Sequence, residues 1–520
     1  MRLSSYYHQD YSGGLNDTAS ARQIKRNEAS LLHDWDITYQ GQLKKRPGLL
    51  EVGDNLSNAI VGLHGYLRSN GGKDLLLMEG TTLRYLNSTT WTALDSGFTT
   101  GLDTWMVTCP LNDKVYIDNG TDYTHSWDRG STTLNSCLTD MGTAIPHGKV
   151  RIWHKNHMFA LNAVTVSGTT YYDRMYWSAM ADPDTYDTVN DFINVPGGGH
   201  MITACDLGDS LVLFKENSIS FLSGWGDTDW TITASASNVT NIDESVGCVA
   251  KRGVTRVGNE IWFIDDEGLI RRIYQTDFDA FRKDLICSKI RGTLATINTA
   301  QLTKALAWTH NDKVYFAVPT GSSTVNNTLL VYDILASKRT GEEAWTTYTG
   351  WTPAILCSYP SGITPDLYIG SNSATGKIWK HTGDDDDGTA IDSRWDGRDD
   401  DYDKPEKWKR YKYGYITGPS SSDIDVAIHA SVDSAPFADL GDLNLAGSGS
   451  RLGPTGSFLL GPTGGCQLGG SGDNEKKFYF SSGGGAVRGK RLKMSIRHSV
   501  LDESPTVNGY TVHFKQRNLR

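Results

Sequence analysis

The side chains able to do chemistry are spread thinly along this sequence. Glycoside hydrolysis needs two facing carboxylates, one of them kept protonated. Asp265-Asp266-Glu267 supplies acids, but between Phe263 and Gly268 it reads as a solvated hairpin turn. The sialidase repeat Ser-x-Asp-x-Gly-x-Thr-Trp is absent, and the stretch Ser223 to Trp230 shares only its composition. His154 and His157 stand three apart, which on one strand puts them on opposite faces and argues against a shared metal. Gly197-Gly198-Gly199 precedes a strand-like run rather than a helix, so no phosphate cradle is expected. The aspartate runs 384–387 and 399–403 offer oxygen ligands for Ca²⁺, but without EF-hand spacing they read as charged, solvated loop. No H-E-x-x-H, P-loop or G-x-S-x-G motif occurs. The expectation is a protein without catalytic residues, metal or cofactor.

Size and composition point to what positions these residues. A chain of 520 residues is too long for one ordinary core, so two or more domains are expected. With 38% hydrophobic and 21% charged residues it is an ordinary globular mixture. Its 55 glycines, 24 tyrosines and 15 tryptophans suit many short strands joined by tight turns. A formal charge of −10 does not fit a surface that grips nucleic acid everywhere. The seven cysteines are scattered, odd in number and never in CxxC spacing, so they read as mostly reduced thiols. No apolar run approaches the roughly 20 residues that span a bilayer. The polar start, Met1 to Asp10, does not read as a signal peptide, and synthesis in the cytoplasm is the expectation.

One hairpin pattern recurs. Asn112-Asp113-Lys114-Val115-Tyr116 returns unchanged at Asn311-Asp312-Lys313-Val314-Tyr315. Looser copies carry their turn residues at Asp74, Asn156, Asp209, Asn259 and Asp366. Asp, Asn and Gly turns between alternating apolar runs are the signature of hairpins. A period of about 40–55 residues fits four-stranded propeller blades better than the mostly shorter solenoid repeats. The expected fold is therefore all-β, a β-propeller of about seven blades over 59–395, with a jelly roll or tandem sandwiches as the alternative. Before it, 1–58 reads as an extended arm with one short helix over Ala21 to Leu32. After it, an acidic linker leads into a C-terminal β-sandwich-like domain, 396–520 in all. A Gly-rich insertion, 446–473, repeats Leu-Gly-Pro-Thr-Gly at 452–456 and 460–464. Its Pro454 and Pro462 could present a loop to a partner. Lys44, Lys45 and Arg46 form a basic triplet suited to an acidic neighbouring subunit, or to a solvated turn.

Three stretches together resemble the tail nozzle (tail tubular or stabilisation) proteins of short-tailed bacteriophages. The first runs from Asp10-Tyr11-Ser12-Gly13-Gly14-Leu15-Asn16 through Asn27-Glu28-Ala29 to Arg46-Pro47-Gly48. The second runs from Trp177-Ser178 and Asp182-Pro183 into Phe214-Lys215-Glu216-Asn217-Ser218-Ile219, then Gly247 and Trp262-Phe263. The third is the ending, from Arg488-Gly489-Lys490-Arg491 through Gly509-Tyr510. The resemblance implies a homohexameric ring in the virion tail. That ring would sit beneath the portal and its adaptor (head-tail connector) ring and alongside the tail fibres. Double-stranded DNA would pass down its lumen without specific binding, with no membrane insertion and no cofactor. A mildly acidic wall suits that role, since duplex DNA carries one charge per ~1.7 Å. Two alternatives remain: a tail-tip receptor-binding protein, with the Gly-rich loop as contact, and a propeller glycanase acting on host surface polysaccharide.

Overall fold

In the computed structural model the chain is an all-β protein in which a seven-bladed propeller is fused to a β-sandwich. The structure describes residues 3–224, 226, 230, 239–276, 281–373, 376–419, 424–445, 473–480 and 487–517. The blades are four-stranded antiparallel sheets over 60–96, 105–140, 150–194, 201–243, 254–285, 306–348, and 353–381 together with 49–51. All seven repeat markers fall at, or within two residues of, the turn between the first and second strand of a blade. Asp113, Asn156 and Asn311 have positive φ there (53°, 63° and 51°). The turn needs the left-handed region, and Asp and Asn enter it at least cost.

The second strand of each blade lies between its neighbours and is apolar on both faces. Leu75, Leu76, Leu77 and Met78 in blade 1, and Leu211 to Phe214 in blade 4, are fully buried. Such runs lose the period of two because blades pack on both sides of them. First strands touch in series around the axis, and Pro353–Tyr359 of blade 7 touches Ile60–Leu67 of blade 1. The ring is closed. Leu49–Glu51 closes it by supplying the outer strand of blade 7, paired Leu49 to His381 and Glu51 to Trp379.

The sandwich is built from both ends of the chain. One sheet orders Ser4–His8, Gly509–Arg517, Trp408–Pro419 and Asp473–Tyr479, with Arg488–Gly489 also on the third of these. The facing sheet orders Leu31–His33, Ser393–Asp396, Leu492–His498, Asp425–Val432 and Ala438–Asn444. Leu31–His33 also pairs in parallel with Trp345–Tyr348 of blade 6, so one nine-stranded sheet runs from propeller to sandwich. Their core is continuous as well: Trp345 and Phe316 share a cluster with Trp395, Tyr411 and Phe514.

Two expectations are corrected here. Residues 21–32 form no helix; a turn near 21–24 leads into Glu28–Ala29 and Leu31–His33. The edge of blade 6 and the backbone of Asp396, which accepts from Ser30 N at 2.8 Å, draw the segment out as strand. Tertiary pairing outweighs the helical spacing of its apolar residues. The acidic stretch 384–403 is likewise no solvated loop throughout. Asp396, Asp399 and Asp400 are buried, and Arg22 and Arg26 of the N-terminal segment bind Asp399 and Asp400 at 3.0 and 2.9 Å.

Candidate functional site

The basic triplet resolves into three different environments. Lys44 is exposed, whereas Lys45 and Arg46 are 0% and 1% exposed. Leu43–Lys45 is a strand between Trp35–Ile37 and Thr506–Val507, so 43 and 45 face inward and 44 outward. Lys45 and Arg46 are therefore packed within their own subunit, not presented to a neighbouring one. Burial lowers the Lys45 ammonium from its ordinary value.

Arg46 is a junction. Its Nε donates to Asp34 at 2.5 Å, and Nη1 and Nη2 donate to the two oxygens of Asp386 at 2.8 and 2.6 Å. Nη2 also reaches the Thr349 carbonyl at 3.2 Å, and the guanidinium lies 4.9 Å from the Trp351 ring. Burial alone would raise Asp34, yet hydrogen bonding from His33 and the charge of Arg46 hold its carboxyl below the usual range. One side chain thus ties the N-terminal segment, blade 6 and the acidic loop together. A cleft of about 440 Å³ opens beside it, lined by Lys377, Trp379, Asp386 and Asp387. Arg151 plays the same part between blades 2 and 3. It is fully buried and donates to Asp118 at 2.6 and 3.0 Å, Thr124 at 2.8 Å and Tyr186 at 2.7 Å.

The other chemical candidates also resolve into scaffold. Asp265 is 0% exposed, not solvated, because it organises its own turn. It accepts from the backbone of Glu267 and Leu269 at 3.0 and 2.7 Å and from Arg271 at 2.5 Å. His154 and His157 lie on one face rather than two, since Lys155-Asn156 is a hairpin turn and the histidines pair across it. Their bonds diverge, to Asp206 at 2.5 Å and to the Ser178 carbonyl at 2.7 Å. Among the described residues no group of three or more His, Cys, Asp or Glu could hold a metal. The six described cysteines are free. Pro454, Pro462 and Cys466 lie outside the described residues.

A site that the sequence did not disclose is a groove of about 480 Å³ at the rim of blades 1 to 3. Phe98, Asp122, Tyr123, His125 and His147 line it, with Ser167 from an extra hairpin in blade 3. Tyr123 is 41% exposed and meets His147 edge to face at 5.5 Å. Burial lowers His147 from its ordinary value, so the ring is neutral near pH 7. Asp122 is already held by Thr99 and Asn119 at 2.6 Å each. No Lys or Arg is among the lining residues. The groove suits a neutral hydroxylated ligand better than an anion.

No family model matches the chain, and no curated protein does. Among solved structures it is similar to the AfRom2 CNH domain, at 8% identity and a TM-score of 0.40 over 65% of this chain and 98% of that one. It is also similar to YCF48 bound to D1 peptide, at 10% identity and 0.37 over 68% and 96%. A third is the C-terminal WD40 domain of Sif2, at 10% and 0.36 over 64% and 99%.

Proposed function

We propose that this chain is a structural subunit of a short-tailed bacteriophage tail, a nozzle protein whose homohexameric ring continues the DNA channel below the adaptor ring. The observation that carries the reading is where the nozzle-like residues fall. Gly14 has φ +65° and sits so close to Trp345 of blade 6 that a Cβ would lie 2.8 Å from its backbone. Arg46 is the junction described above, and a Cβ on Gly48 would lie 1.7 Å from the Asp385 carbonyl. Lys215 is buried and donates to the carbonyls of Val195 and Gly197 at 3.0 and 2.9 Å, and Gly247 packs against the Glu216 backbone. These residues hold the architecture; Arg46 borders the cleft described above, but its guanidinium is already taken up by Asp34 and Asp386. That is the pattern of a protein whose function is its shape.

The test is assembly. Purified chain mixed with its phage's adaptor ring should give six-fold particles with an axial channel by electron microscopy. A chain that stays monomeric with the adaptor ring at every concentration overturns the reading. The rim groove favours a second reading, glycan binding at the tail tip. Saturation-transfer NMR with neutral host-surface oligosaccharides checks it, and loss of transfer in Tyr123→Ala would place the contact there.

A further inference from the structure

The outward face of the first sandwich sheet is unusual in composition, and the strand register shows how it is laid out. One row across the strands reads Ser5, His513, Tyr413, Tyr479. The next reads Tyr7, Thr511, Tyr415, Lys477. On the other side of the first row, Lys515, Arg410 and Arg488 stand together. The core needs none of these, because Tyr411, Phe478 and Phe514 fill the opposite face. Tyr7 and Tyr479 are nonetheless 63% and 56% exposed. Exposed tyrosines beside arginines are the composition of a contact surface rather than of a solvated sheet.

Charge says what kind of surface covers it. On this face Lys477, Arg410, Arg488 and Lys515 stand with Glu475, on a chain of net charge −10. Among the described residues none of the four cations is in an ion pair, and the Arg410 Nε is buried without a hydrogen-bond partner. Asp401, Glu406, Asp400 and Asp433 at this end lie around Lys409, which is buried on the core side of the strand. The opposite end of the sandwich is acidic. Asp502 there lies against Asp385, with Asp384 beside them, and the shared hydrogen bond and like charges push its carboxyl up. Asp502 leads into Gly509, and from Gly509 to Lys515 the strand covers about 20 Å. The sandwich thus carries cations without ion pairs on one face, and a cluster of carboxylates, beside the single ammonium of Lys45, lies at its other end.

We infer that the tyrosine and arginine face takes the acidic end, around Asp384, Asp385 and Asp502, of a second copy of this chain, head to tail. Such a contact joins two different patches, and copies joined that way close into a ring when the rotation allows. The inference rests on the ring reading above and names the face that makes it. Nucleic acid would match the cations but not the rings. Lys477 Nζ lies 4.1 Å from the Tyr413 centroid and 5.0 Å from that of Tyr479, and Tyr413 meets Tyr479 edge to face, so these two rings are already engaged rather than laid open for stacking bases.

The test is a charge swap on the full chain, with assembly followed by sedimentation and native mass spectrometry at low salt, with the adaptor ring present. One variant carries Arg410→Glu, Arg488→Glu and Lys515→Glu; the other carries Asp384→Lys, Asp385→Lys and Asp502→Lys. Each alone should raise the assembly midpoint about 100-fold or more, as like charges meet. An equimolar mixture should recover it, since each variant's face then meets the other's end. Tyr479→Ala, at an exposed position that leaves the fold intact, should weaken assembly about 10-fold. Variants that assemble like the wild type overturn the inference and leave the ring reading standing. A wild-type chain that never assembles removes that reading, and the inference falls with it. A labelled thirty-nucleotide oligo-dT that binds the wild type and not the first variant, with assembly unchanged, assigns the face to nucleic acid instead.

Discussion

Arg46 concentrates the risk in this fold at one side chain. It is buried, and it draws acceptors from Asp34 in its own segment and from Thr349 and Asp386, more than 300 residues on. Removing one partner of a buried, hydrogen-bonded charge network typically costs about 3–5 kcal/mol, because the charges left behind stay buried and unpaired. Arg46→Met should lower the unfolding free energy by that much, while Lys44→Met should leave it within about 0.5 kcal/mol. Urea titration of both variants checks the pair, and equal effects would contradict the environments described. The sequence held the signal that separates them. Leu43-Lys44-Lys45 alternates, and a strand period of two sends 43 and 45 one way and 44 the other. Reading the triplet as one basic patch ignored that period. The histidine pair was misread for a related reason: the Lys155-Asn156 turn lies between them, so strand spacing did not apply. Asp265 could not be found this way, since its burial depends on Arg271 folding back over the turn.

The elements most legible in advance were the blade hairpins, because their turns carry chemistry of their own. Asp113, Asn156 and Asn311 mark backbone that few other residues enter at low cost. The N-terminal segment was least legible. Its strands are two to five residues long, and most, such as Ser4–His8, Leu31–His33 and Leu49–Glu51, are paired with partners hundreds of residues away. Leu49–Glu51 is the clearest case, a short strand held by Ile378–His381 on one side and by the backbone around Asp386 on the other. Leu49 is 4% exposed in the cluster that joins blades 6 and 7. Leu49→Asp buries an unpaired carboxylate there, so the closing strand should detach. Hydrogen exchange should then lose protection in Asp366–Ser371 and Ile378–His381 while blade 4 keeps its own. Uniform loss, or none, would argue against a separable closure.

At the scale of the molecule, propeller and sandwich share a sheet and a core, so they should unfold together. Calorimetry is expected to show one transition, and two well-separated peaks would show that the shared sheet does not couple them. Stability should also depend on pH above the carboxylate range. Burial holds His8 and His64 down to about 4 and His381 down to about 3. Unfolded histidine protonates near 6.5, so below that value the unfolded chain takes up protons that the fold refuses. The stabilisation is complete above about pH 6.5 and is lost as pH falls towards 4, by up to about 1.4 kcal/mol per pH unit for each ring. Denaturation midpoints at pH 7.5, 6 and 5 check this, and a flat profile would refute it. His8→Phe should make the slope shallower. The seven-bladed outline was readable from repeat spacing, whereas the continuity of sheet between the two domains was not, since Thr347 and His33 meet in a parallel pairing no local pattern announces.

The closing strand gives this protein an unusual order of birth. Leu49–Glu51 leaves the ribosome early, but Ile378–His381 follows about 330 residues later. At ordinary synthesis speeds that is a wait of roughly 15–65 s. Through that interval the growing row of blades has two bare flanks, each able to pair with a stranger. Yield during expression should therefore hinge on how fast translation finishes and how well nascent chains are shielded, more than on how firmly the finished ring is held.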